Sequence, residues 1–369
     1  MRNIIQLTFL LLLISSCNQS TKKPAEEVPK REVQPNIVLM IGDGMGVAQV
    51  SAANYWNPQK SNFYRFKTVG LIETSSTSHK VTDSASGATA FSTGEKTYKR
   101  AIGVASDSTH RKTILEELKE KGYQTGLISL TSITHATPAS FYAHVVDRDM
   151  HEEIASQLVA AEVDFFAGGG WKYFVNRSDD RDLFQELRDK GYQVDSASLP
   201  SAIEKDKRYA TFMTKASMPS KVHGRGDFLK EATKMAIDYF ESKEKPYFLM
   251  VEGSYIDWGG HAEDPQMVIQ EAVDFDGTIG SVLDSMDENT LVVVTADHET
   301  GGVAIGKYYE VDSSGARHEV PDTLSVSFNT DQHTASLVPV FAKGYGEEAF
   351  AGVYSNAQIY HRMKEVLSK

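Results

Sequence analysis

Asn36-Ile37-Val38-Leu39-Met40-Ile41-Gly42-Asp43-Gly44-Met45-Gly46 is an apolar run that empties into an aspartate between glycines. A run this short and this apolar reads as a strand buried on both faces, as in a parallel sheet. The pattern repeats outward from it. Apolar runs at Tyr123–Leu130, Val163–Ala167, Tyr247–Val251, Leu291–Thr295 and Leu337–Ala342 are further candidate strands. Stretches of helical spacing stand between and around them, at Gly46–Trp56, Ala85–Ser92, Thr113–Lys121, His151–Ala160, Asp180–Lys190, Asp227–Lys243, Asp264–Met286 and Asn356–Ser368. Such alternation predicts an α/β fold with a largely parallel sheet. No repeat or composition break divides residues 35–369, so one large domain is expected there.

The whole chain has 369 residues, 41% hydrophobic and 24% charged, with a formal charge of −12. That balance repels a polyanionic backbone and argues against a nucleic-acid partner. Past residue 16 no apolar stretch approaches the ~20 residues that cross a bilayer, which excludes a polytopic membrane protein.

Arg2 is followed by an apolar run from Ile4 to Ile14, short for a spanning helix and suited to the hydrophobic region of a secretion signal. The run closes on Ile14-Ser15-Ser16-Cys17, which resembles the lipobox of bacterial lipoproteins, and Cys17 is the only cysteine. A plain signal peptide with an incidental cysteine is the alternative. The expectation is a leader at 1–16, then a lipidated Cys17 that opens a flexible tether over 17–34. The folded part would be exported, as a periplasmic or outer-membrane lipoprotein of a Gram-negative-type bacterium. With Cys17 taken by lipid no disulfide forms, so the domain must hold by its core and by metal.

Open α/β sheets gather functional residues beyond the carboxyl ends of their strands, and the polar clusters of this chain follow its apolar runs in that way. Asp43 between Gly42 and Gly44 reads equally as a turn; the glycine spacing does not fit a dinucleotide fingerprint. Thr82-Asp83-Ser84-Ala85-Ser86-Gly87 runs small residues into a helix start, where Ser84 either faces an anion or, like Asp83, caps the helix. No G-x-S-x-G elbow is present, which removes support for a Ser-His-Asp hydrolase. His135, Thr137 and Arg148 follow the second run, with a helix cap and a surface ion pair as the plainer readings of the last two. Glu252 ends an apolar strand, and Asp257 and His261 stand four apart, so one helical turn or a Gly259-Gly260 bend converges them. Asp297-His298 closes another buried run, and His333 stands in Asp331-Gln332-His333-Thr334. Together these residues offer carboxylate, imidazole and hydroxyl without thiolate, a set suited to zinc and magnesium.

The segments IVLMIGDGMG, TDSASGATAFSTGEKTYKRAIGV, HATPASFYAHVVDR, VEGSYIDWGGHAED, TADHETGG and QHT occur in the order found in alkaline phosphatases, over about Asn36 to His333. On that ground the chain is identified as resembling this family. The resemblance implies a three-layer α/β sandwich with helices flanking the sheet. It implies a hydrolase that releases phosphate from monoesters through a phosphoserine at Ser84. One zinc would be held by Asp43, Asp297 and His298 beside Ser84, itself counted among the metal-contacting residues. A second zinc would be held by Asp257, His261 and His333, and magnesium by Asp43, Thr137 and Glu252. Arg148 matches the arginine that forks onto two phosphoryl oxygens. His135 and Trp258 depart from residues found in some relatives and stand around the third metal and the bound phosphate. The resemblance also implies small phosphomonoesters as substrates and a homodimer. Residues 161–245 resemble the family in outline, with a loop expected over 168–174. The competing readings are a phosphodiesterase or other ester hydrolase of the same superfamily, and a lipoprotein that binds phosphate or metal without turnover.

Overall fold

Strand β1 (Asn36–Gly42) lies in the middle of a ten-stranded sheet, and every side chain in it after Asn36 is buried. The computed structural model describes residues 34–369. The leader expected at 1–16, Cys17 and all but the last residue of the tether lie outside the described residues. The strands that follow are β2 (Thr68–Glu73), β3 (Gln124–Ser132), β4 (Phe165–Gly169), β5 (Tyr192–Ser196), β6 (Arg208–Phe212), β7 (Tyr247–Gly253), β8 (Thr290–Thr295), β9 (Glu299–Thr300), β10 (Ala304–Val311), β11 (Arg317–Ser327), β12 (His333–Thr334), β13 (Val338–Gly344) and β14 (Gly352–Ser355). The large sheet has the order β14-β2-β13-β8-β1-β7-β3-β4-β6-β5.

All its neighbours pair in parallel except across β13, which runs antiparallel to both β2 and β8. The expected strand at Leu337–Ala342 is therefore present but reversed. Its direction follows from the connection. No helix intervenes between β8 and β13 to return the chain to the other end of the sheet, and a parallel neighbour needs such a crossover. The intervening chain instead forms the β10–β11 hairpin and the short β9–β12 pair.

Helices flank the sheet, and each of the eight expected helical stretches contains one, ending within a few residues of the expected bounds. Two short helices, Ala136–Ala139 and Tyr255–His261, carry no periodic signal of their own because they span barely a turn or two. The loop expected over 168–174 is corrected: Gly168 and Gly169 end β4, Gly170 turns with φ 96°, and Trp171–Tyr173 form a 3-10 turn. The glycines had masked a strand end.

Register brings the site together. Ile41 of β1 pairs with Glu252 of β7 on one side and with Thr295 of β8 on the other. Two residues past these positions on β1 and β8 stand Asp43 and Asp297, so three carboxylates from three adjacent strands reach the same end of the sheet.

Candidate active site

The helix Ser84–Thr93 begins at this end. Its ten residues are all buried, and its composition of small side chains is what allows such close packing. A Cβ on Gly87 would lie 3.0 Å from Cβ of Asp297, so the glycine admits the helix to the carboxylates. Asp83 caps the helix by accepting from the Ser86 amide, which settles the cap reading in favour of Asp83. Ser84 Oγ, almost fully buried, lies 3.3 Å from Nε2 of His298.

His298 Nε2 also stands 3.4 Å from Asp43 Oδ1 and 3.3 Å from Asp297 Oδ2. Nearby, Asp257 Oδ1 lies 3.4 Å from Nε2 of both His261 and His333, whose two Nε2 atoms are 3.0 Å apart. The spacing of Asp257 and His261 is one turn of the helix Tyr255–His261. The ring of His333 stacks on that of His298 with centroids 3.5 Å apart, so Asp257, His298 and His333 also converge. A third cluster joins Asp43, His135 and Glu252, with the Thr137 hydroxyl beside Glu252.

These clusters fit bound cations. Both carboxylate oxygens of Asp43, Asp297 Oδ2, Glu252 Oε1 and Thr137 Oγ1 are buried without a hydrogen-bond partner. Buried polar atoms are otherwise nearly always paired, and so many orphans in one place call for a charge between them. The histidine tautomers agree. Nδ1 of His261 donates to the Asp331 carbonyl at 2.6 Å, and Nδ1 of His333 donates to the Thr82 carbonyl at 2.9 Å. Each ring therefore turns its Nε2 toward the other and toward Asp257, the placement in which one cation accepts all three once those nitrogens give up any proton.

The electrostatics carry the same strain. Burial, then the charges of Asp297, Asp257 and Glu252, push Asp43 well above the usual carboxylate range. Burial and the charge of Asp257 push Asp297 up to about 7. Burial raises Glu252 despite the hydroxyl of Ser129, which donates to it at 2.5 Å. Burial opposes ionisation of Asp257 too, but the His333 hydrogen bond and the surrounding imidazoles hold it low. Burial and His333 depress His298, and burial with Arg148 brings His135 down to about 3. These two imidazoles are thus neutral, the form in which His298 ligates and His135 accepts from Arg148.

Arg148 is held from two sides, its Nη1 donating to Asp83 Oδ2 at 3.3 Å and its Nη2 to His135 Nε2 at 3.2 Å. Arg100 braces the same segment through both oxygens of Asp147, each at 2.8 Å. Trp258 sits beside Asp257 on its helix and packs edge-on to Tyr255 at 4.6 Å. The structure thus brings Asp43, Ser84, His135, Thr137, Arg148, Glu252, Asp257, His261, Asp297, His298 and His333 to one end of the sheet. Trp258 joins them through its neighbour, by apolar packing. Sequence reasoning passed over Asp83 and His135 as holders of Arg148, and over Ser129 and Thr300 as partners of Glu252 and Asp257. No spacing signal marks them, because their contacts are made only when distant segments meet.

An α/β sandwich whose strand ends gather three buried clusters of carboxylate and imidazole around a helix-borne serine defines a protein with a multi-metal site. The alkaline phosphatase family model matches residues 34–323, and the chain belongs to that family. It is 38% identical to alkaline phosphatase 3 of Bacillus subtilis (strain 168) over 289 residues, 73% of this chain and 62% of that protein. It is 35% identical to alkaline phosphatase 4 of the same organism over 308 residues, 78% of this chain and 66% of the relative. The chain thus spans less than two thirds of the length of these curated relatives. The solved structure of alkaline phosphatase from the Antarctic bacterium TAB5 superposes with a TM-score of 0.87 at 43% identity, covering 91% of this chain and 99% of that one.

Proposed function

We propose that this chain hydrolyses phosphate monoesters through a phosphoserine formed on Ser84. The observation that carries the reading is the Ser84 hydroxyl 3.3 Å from His298 Nε2, inside a buried set of orphaned carboxylates. Two zinc ions would be held by Asp43, Asp297 and His298 beside Ser84, and by Asp257, His261 and His333. Magnesium would be held by Asp43, Thr137 and Glu252. An arginine only donates, so His135 Nε2 accepts from Arg148 and its Nδ1 bears the proton. The third cation is then left to oxygen ligands, the set magnesium prefers. When bound, such cations lower the pKa of a hydroxyl and neutralise the entering and leaving oxygens of an in-line displacement.

The chain's own groups do the rest. Ser84 Oγ forms the bond to phosphorus as the ester oxygen departs as alcohol. Water then attacks the phosphoserine, which releases phosphate and restores the serine. His261 is 37% exposed whereas Asp297 and His298 are fully covered, so the alcohol leaves and water enters on the His261 side. Arg148, fixed by Asp83 and His135, grips two phosphoryl oxygens in a planar fork. Replacing it by Lys keeps the charge and loses the fork. KM for substrate and the inhibition constant of phosphate are each expected to rise about 10- to 100-fold, read by steady-state kinetics with phosphate as competitor.

The test of the reading is release of p-nitrophenol from p-nitrophenyl phosphate at alkaline pH, with zinc and magnesium supplied and with EDTA as control. No metal-dependent release would overturn it, and preferred release from bis(p-nitrophenyl) phosphate would make the protein a diesterase. Export and lipid anchoring at Cys17 are part of the proposal, supported by Arg2, the apolar run from Ile4 to Ile14 and the Ile14-Ser15-Ser16-Cys17 that closes it. Cys17→Ser is expected to move the protein from the membrane to the soluble fraction on cell fractionation. A second copy of the chain is the proposed partner, supported by exposed Val47, Tyr55 and Tyr64 near the first helix.

A further inference from the structure

Thr300 falls outside the ligand sets above, yet it is held on several sides at once. It follows His298 by two residues, so along extended chain the two side chains share a face. In the β9–β12 pair it stands opposite His333. Its backbone is tied at both ends: the amide donates to the Gly44 carbonyl at 3.1 Å, and its carbonyl accepts from Gln49 Nε2 at 2.9 Å. Its side chain fills a space that glycines leave open. A Cβ on Gly44 would lie 2.8 Å from Thr300 Oγ1, and one on Gly260 would lie 2.8 Å from its methyl group.

Thr300 Oγ1 reaches Asp257 Oδ1 at 2.5 Å and His298 Nδ1 at 3.2 Å. One proton must serve both contacts. An ionised carboxylate cannot donate, so the hydroxyl gives its proton to Asp257 and accepts from Nδ1–H of His298. That choice leaves His298 Nε2 as a lone pair, aimed at Ser84, Asp43 and Asp297. The reverse arrangement would set a proton on Nε2 and leave the Asp257 oxygen facing an oxygen lone pair.

We propose that Thr300 is a positioning residue that joins the two zinc clusters: one hydroxyl orients Asp257 of one and fixes the ligating tautomer of His298 in the other. The inference rests on the metal-site reading of the preceding subsection. It follows that loss of the hydroxyl weakens both clusters together. Removal of such an outer partner typically lowers metal affinity by about 10- to 100-fold.

The test is zinc binding to metal-free full-length protein by competition with a chromophoric chelator, with cobalt(II) absorption to read ligand geometry at each site. Thr300→Val keeps the shape and removes the hydroxyl; Thr300→Ser keeps the hydroxyl and removes the methyl. Thr300→Ala, which only deletes atoms, replaces the valine variant if that one does not fold. The expected result is about 10- to 100-fold weaker zinc binding at both sites in the valine or alanine variant, with altered cobalt spectra, and near-native binding in the serine variant. A merely structural role would not be rescued by serine alone in this pattern. Native affinity without the hydroxyl, loss at one site only, or failure of serine to restore binding would overturn the inference while leaving the metal sites standing. A wild-type protein that takes up no zinc would overturn the function proposed above, and this inference with it.

Discussion

Ser84→Ala is expected to lower kcat by about ten thousand- to a million-fold, the scale on which a lost nucleophile costs a hydrolase. The protein should remain folded with its melting temperature nearly unchanged. The helix that begins at Ser84 is capped by Asp83, whose carboxylate takes the Ser86 amide, so the substitution removes one oxygen and no cap. Zinc uptake should persist as well, because the carboxylates and imidazoles of both clusters are untouched. Residual turnover within tenfold of the wild type would assign the attack on phosphorus to another group.

Metal removal is expected to have the largest effect on stability, and an effect that depends on pH. In the metal-free protein Asp297 is pushed up to about 7 and Asp43 is raised well above its usual range. In the unfolded chain both titrate near pH ~4. Between about pH 4 and 7 these two carboxylates therefore hold protons that the unfolded chain has released, so their contribution to stability falls as pH rises through that window, while His298 and His135, held neutral, act in the opposite sense up to about pH 6.5. Cations that replace those protons remove the penalty, and metal affinity should climb with pH over the same range. Free zinc at a thousand times its dissociation constant adds about 4 kcal/mol per site, or a rise in melting temperature of about 6 °C for a domain of this size. Thermal melts of dialysed and zinc-loaded protein from pH 5 to 8 measure both. A metal-free protein that is as stable as the loaded one at pH 8 would contradict the account.

The parts of the fold that could be read in the sequence are those buried on both sides. β1, β7 and β8 are continuous apolar runs because strands cover their edges and helices their faces, and their final polar residues stand out against that background. β5 and β14 are the edges of the sheet, and β2 alternates buried with half-exposed residues, so none shows such a run. The β10–β11 hairpin is largely exposed and polar, and it reads as loop. The direction of β13 was not legible either, because it depends on where the preceding chain stays.

The site divides along similar lines. Asp257 and His261 at four-residue spacing announce a shared target in one dimension, and the helix over Tyr255–His261 realises it. Asp43, Glu252 and Asp297 come level only through the register of three strands, which their positions at strand ends suggest without fixing. His135 illustrates the limit: its place beside Asp43 and Glu252 follows from the strand end, whereas its grip on Arg148 needs two segments to approach in space. The hydroxyls of Ser129 and Thr300 lie wholly beyond reach of pattern, since a lone Ser or Thr gives no sign of which carboxylate it will meet.

Acid quenching of the zinc- and magnesium-loaded protein during turnover of a phosphomonoester, followed by peptide mass spectrometry, tests the central claim most directly. The account predicts one phosphorylated peptide, modified at Ser84 and absent when metal is withheld. A phosphate found on another residue, or on Ser84 without metal, would contradict it.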